Sequence, residues 1–153
     1  MPLLTRQLAL TAVRLSLGAS ALAGAYLAGV ERAPGAAGFA FGAGITAITL
    51  LSDRRSLLLE RPTPEPIPAD AEHERWQRYV AAGLFPSTIG VSMLAVVALA
   101  FEPVLSAVLA GVLAGMGAAG AVGSLQIFDS ERRDGWRLFA EAGTGKRLFV
   151  ERR

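Results

Sequence analysis

The chain has no cysteine, no asparagine and a single histidine, and only 18% of its residues are charged. Without cysteine there are no disulfides, iron–sulfur clusters, thiolate metal sites or cysteine nucleophiles. The one histidine, His73, sits in the acidic run Asp70-Ala71-Glu72-His73-Glu74. With no second His or Cys beside it, a metal centre is not expected. A serine hydrolase would also have only this residue as base. Of the 15 basic residues 14 are Arg and one is Lys, a bias that reads as composition rather than chemistry. The pI near 9.7 comes with a net charge of only +2, too little for a nucleic-acid surface. No catalytic, cofactor-binding or metal-ligating set emerges, and the chain is not expected to be an enzyme.

Charge is missing most conspicuously from four long runs, Leu15–Val30, Ala33–Ser52, Tyr79–Phe101 and Pro103–Phe128, which fill more than half of the 153 residues. Lipid offers no hydrogen bonds to a backbone, so an apolar run of this length has to satisfy its own peptide groups as a helix. About 20 residues at 1.5 Å rise cross roughly 30 Å of hydrocarbon. The first run reaches that length only by including Leu8–Val13, which puts Arg14 inside the span, where its side chain is expected to snorkel to headgroups. Arg6, an apolar stretch and Ala19-Ser20-Ala21 imitate a secretory signal. Arg14 interrupts its apolar core, so the segment is read as a retained span. Pro34 and Pro103 fall where first-turn prolines are tolerated, giving two tight helical hairpins.

The expected fold is therefore an all-α integral membrane protein, a four-helix transmembrane bundle of two hairpins with a small cytoplasmic cap. Residues 1–52 form the first transmembrane hairpin, 53–78 a cytoplasmic Pro-rich linker and interfacial helix, 79–128 the second hairpin and 129–153 a cytoplasmic tail. In the tail, Trp136–Glu141 and Arg147–Arg152 have strand composition about a Gly143-Thr144-Gly145-Lys146 turn, which suits a β-hairpin. That turn does not match a phosphate loop, because Lys146 is followed by Arg147 and not by Ser or Thr. Ser56–Glu60 offers a third strand, ahead of Pro62, Pro64, Pro66 and Pro68. Trp76, Tyr79 and Trp136 suit interfacial anchors. The interval from Arg6 to Pro34 is echoed by that from Arg75 to Pro103, so a duplicated hairpin competes with two unrelated ones.

Helices in lipid associate through small residues that let backbones approach. The first span carries Ala12, Ser16, Ser20, Gly24 and Ala28, the second Gly38 and Gly42, and the fourth Ala107, Gly111, Gly115, Ala119 and Gly123. Ser16, Ser20, Gly24, Gly38, Gly42, Gly111, Gly115 and Gly123 are the candidate packing residues. They either hold one bundle together or, on the fourth span, face another subunit. Candidate polar lining comprises Arg14, Thr46, Ser87 and Thr88. Pro86 kinks the third span and frees a carbonyl, which local hydroxyls are expected to satisfy. The leading functional expectation is a non-enzymatic accessory or scaffolding subunit acting through Gly/Ala-rich packing, associated with itself or with a larger complex in the bilayer, without nucleic acid. The alternative is an oligomeric channel or transporter for a small neutral or anionic solute; no span contains a carboxylate for proton or cation coupling.

With both ends inside, fourteen Lys and Arg residues lie on the cytoplasmic side and only Arg32 lies outside. By the positive-inside rule the protein is a multi-pass plasma (inner) membrane protein with both termini cytoplasmic. A protease-sensitive tag at either terminus is expected to resist external protease in intact cells and to be cut after permeabilisation. Cleavage of either tag in intact cells reverses this topology.

Overall fold

In the structure, a computed structural model, residues 2–59, 65–67, 81, 83–140 and 148–152 are described. The chain is mostly helical. Helix α1 covers Leu3–Leu27 and α2 covers Arg32–Leu59. After a two-residue strand β1 (Glu65–Pro66) come α3 (Ser87–Phe101) and α4 (Pro103–Asp134), then β2 (Trp136–Ala140) and β3 (Leu148–Arg152). Three helical segments, Leu3–Leu27, Arg32–Ser52 and Pro103–Asp134, are long and apolar enough to cross a membrane. At 15 residues α3 is shorter, about 22 Å at helical rise.

The connections follow from local chemistry. Gly29, at φ 95°, makes the turn from α1 into α2, and Val30 N–H reaches back to the Ala25 carbonyl at 3.2 Å. Glu102 alone separates α3 from α4, its carbonyl accepting from Leu105 N–H at 2.9 Å, and Pro103 opens α4 where a missing N–H costs nothing. Gly135, at φ 67°, stops α4 in the left-handed conformation that ends many helices. Arg132 and Arg133 lie in the last turn, where cations suit the helix dipole.

The two hairpins exist as chain paths, but packing does not follow them. Helix α4 is the centre: α1 and α2 both lie mainly against it, and α3 lies against it to a lesser extent. Helices α1 and α2 touch each other little. Among the described residues α2 and α3 have no shared contact, so the extensive α1–α4 interface has no counterpart of the kind a duplicated hairpin would supply.

The third apolar segment departs from a continuous helix. Ala81, Gly83 and Leu84 are helical, a turn intervenes at Phe85–Pro86, and α3 begins at Ser87. Two further expectations change at the cap end. Ser56–Leu59 is the last turn of α2 and not a strand, because the helix runs seven residues past Ser52 without meeting a proline. The third strand is instead Glu65–Pro66, which pairs in parallel with β3 and gives the order β1-β3-β2. The expected hairpin is present, with Leu138 opposite Val150 and Phe139 opposite Phe149.

Two contacts join this sheet to the helices. Pro2 bridges to Phe139, so the start of α1 and the sheet occupy the same end of the bundle. The Glu131 carboxylate, buried in the last turn of α4, accepts the Leu138 N–H at 2.9 Å. An exposed ion pair beside it, Arg133–Asp129 at 2.7 Å, adds little. Glu131→Ala leaves the Leu138 N–H without its acceptor, a loss of about 1–3 kcal/mol. Hydrogen exchange at Leu138 is expected to quicken about tenfold or more, while Glu131→Gln, which keeps an acceptor oxygen, retains most of the protection.

Candidate functional site

Two features carry the expected packing and polar residues: the glycine seams around α4 and a polar node around Arg14. On one flank of α4, Gly111 lies against the Phe39 carbonyl and Ala43 N of α2. One turn on, a Cβ at Gly115 would stand 2.6 Å from the Ala43 carbonyl oxygen and 2.9 Å from Thr46 Cβ. From the α2 side, Gly42 lies against the Val108 carbonyl, and a Cβ at Gly38 would stand 3.1 Å from Val108 Cγ2. Each of these contacts is made because the glycine has no side chain, so the helix axes approach to backbone contact. The stripe on α2 and the stripe on α4 thus meet each other within one chain. Gly123, the last of the α4 stripe, is also buried.

The other flank of α4 holds α1, and the residues of the four-residue ladder take different places there. Ser16 and Ser20 are exposed and lie off the seam. Gly24 is half-buried and meets Leu99 of α3, at 3.3 Å from its would-be Cβ, not α4. The buried positions of α1 include Thr11, Gly18 and Ala25, spaced by seven. The reason is geometric: at 3.6 residues per turn a four-residue ladder rotates about 40° per step, whereas a seven-residue step drifts only about 20°. A ladder from Ala12 to Ala28 therefore winds off the contact line. A Cβ at Gly18 would stand 2.9 Å from the Ala110 carbonyl oxygen and 3.1 Å from Ala114 N, and across the seam Gly117 faces Leu15 while Gly120 faces Thr11. Gly18, Gly117 and Gly120 were not singled out by four-residue spacing. Gly18 and Gly117 fall on seven-residue lines, Thr11-Gly18-Ala25 on α1 and Ala110-Gly117-Ser124 on α4, and Gly120 lies three residues past Gly117, facing Thr11.

The polar candidates divide. Arg14 lies eleven residues beyond Leu3, roughly 16 Å along α1, and its side chain is directed to the third apolar segment and not along the helix to the surface. Its Nε donates to Thr88 Oγ1 at 3.0 Å and its Nη2 to the Gly83 carbonyl at 3.3 Å. The Gly83 carbonyl at the break thus accepts from an arginine of another helix, while the carbonyl that Pro86 itself frees, four residues before it, lies outside the described residues. Thr88 is fully buried, and its own carbonyl accepts Ser92 Oγ at 2.8 Å. Ser87 is exposed. Thr46 lies across α4 in the α2 seam, so it does not share a site with Arg14. Thr49 and Ser124 return their hydroxyls to the carbonyls of Ile45 and Gly120, as Ser and Thr do within helices.

Trp136, one expected anchor, is on β2 opposite Arg152, with 37% of its surface exposed. Trp76, Tyr79, His73 and the Gly143–Lys146 turn lie outside the described residues. Among the described residues no group of His, Cys, Asp and Glu is placed to hold a metal. A shallow cleft between the end of α1 and the start of α2 is lined by Tyr26, Val30, Arg32 and Ala36. No protein-family model, curated protein or solved structure matches the chain.

The seams give a sharp contrast among glycines. Gly111→Leu and Gly115→Leu drive a side chain into the α2 backbone and are expected to abolish a monodisperse detergent-solubilised protein, with Gly18→Leu behaving likewise against α4. Gly44→Leu and Gly90→Leu, whose would-be Cβ atoms meet open space, are expected to remain monodisperse. Size-exclusion profiles of the purified variants make the comparison.

Proposed function

We propose that the protein is a non-enzymatic accessory or scaffolding subunit of the inner membrane, with both termini cytoplasmic, whose four apolar helical segments all insert and whose partner packs along α2. The observation that carries this reading is the one-sided fixing of α2. Its inner glycine face is occupied by α4, while it touches α1 little and has no contact with α3 among the described residues. Its other side presents Phe41, Ile45 and Ile48, all exposed, with Gly44 open beside them. The glycines of α4, by contrast, are taken up inside the chain. An external partner therefore finds the outer side of α2 and not the Gly111–Gly115 step.

The channel or transporter reading has a narrower basis. Arg14 and Thr88 meet, but Thr46 is on the far flank of α4 and Ser87 faces outward. A common polar path through these residues would require several copies of the chain.

The native absence of cysteine makes the test direct. Single cysteines at Ile45 and Ile48 are expected to capture another membrane polypeptide, or a second copy, on cross-linking in native membranes, whereas cysteines at Val96 and Val97 of α3 are not. A chain that remains a monodisperse monomer in mild detergent and cross-links to nothing through α2 defeats the reading. Solute-selective flux through liposomes containing the pure protein would favour the transporter.

A further inference from the structure

The third membrane segment is broken inside the bundle, and one side chain touches both sides of the break. Pro86 has no N–H and cannot continue the helical ladder through its own position. Before it, Ala81, Gly83 and Leu84 are helical; after it, α3 runs from Ser87 to Phe101. The Arg14 guanidinium donates to the Gly83 carbonyl, three residues before Pro86, and to the Thr88 hydroxyl, two residues after it. With the segment inserted as proposed above, on which this inference rests, α3 at about 22 Å falls short of the roughly 30 Å of hydrocarbon, and its Ser87 end and the break lie at membrane depth. Backbone irregularity at that depth persists only where protein satisfies it.

The surroundings bring α1 close to this break. Gly83 packs so near α1 that a Cβ would stand 2.9 Å from Leu10 Cδ1 and 3.3 Å from Arg6 Nη2. Arg6, Leu10 and Arg14 are spaced by four along α1 and form one continuous side against the segment. Leu10 is buried and both arginines are half-buried. The planar guanidinium, with five donors in a fixed fork, reaches two acceptors on different arms at once, which a single ammonium does less well.

We propose that this membrane segment is hinged at Phe85–Pro86 and that Arg14 is the latch that holds its two arms in one alignment. Arg14 is thus a positioning residue. Latched, the arm before the break and α3 move as one body with α1; unlatched, the earlier arm turns relative to α3.

Spin labels on cysteines introduced at the exposed positions Ala81 and Val97, one on each arm, read the alignment as a distance distribution in lipid nanodiscs. The otherwise native chain is expected to give a single narrow distribution. Arg14→Gln and Thr88→Val are each expected to widen it and shift its mean, whereas Thr88→Ser, which keeps the hydroxyl, leaves it narrow. An unchanged distribution in monodisperse Arg14→Gln protein overturns the proposal. If that variant does not fold, Thr88→Val decides, and an unchanged distribution there is equally fatal. Widening in both Thr88 variants traces the effect to lost packing and also overturns the latch.

Discussion

The approach of two backbones to van der Waals contact along α4 is the constraint from which the rest of the bundle follows. In lipid the usual drive to bury apolar side chains is absent between helices, and close packing has to replace it. Gly111 and Gly115 admit α2, and Gly117 and Gly120 admit α1. The two pairs lie on different flanks of one helix, so a single chain segment holds both neighbours. That explains why α1 and α2, although joined by a short turn, depend on α4 and not on each other.

Polar groups within the bundle are then placed by what this packing brings near them. Arg14 finds its acceptors because α1 lies alongside the third segment at its break, where Gly83 has no side chain to keep the helices apart. The Ser92, Ser124 and Thr49 hydroxyls bond within their own helices and need no neighbour. Thr11 and Ser106 are different: both are buried, and their hydroxyl oxygens have no hydrogen-bond partner among the described residues. Thr11 lies in the tight α1–α4 seam against Gly120, where its small size matters more than its hydroxyl.

At the other end of the molecule a sheet too small to stand alone is carried by the helices. A lone hairpin is marginal in water. Here β3 gains a second neighbour in β1, the start of α1 bridges to β2, and Glu131 of α4 accepts a β2 amide proton. The cap therefore reports on the arrangement of the bundle below it, and the only buried carboxylate among the described residues is used for that attachment.

Much of this was legible in the chain, and the limits have physical causes. Long uncharged runs have one solution in lipid, so the helices and the prolines at their starts could be read directly. The hairpin between Trp136 and Arg152 was legible from composition and a glycine turn. Which glycines matter was only half legible: the α2 and α4 stripes meet, but the α1 ladder of Ser16 and Ser20 does not, because α1 buries the seven-residue line Thr11, Gly18 and Ala25, from which a four-residue ladder winds away. The partner of Arg14 was not legible at all. The sequence by itself determined that the chain is helical and apolar, with one arginine inside its first span. Only the tertiary structure decided that α4 is the centre and that this arginine closes a break in another segment, because both depend on which helix faces are brought together across more than 60 residues of chain.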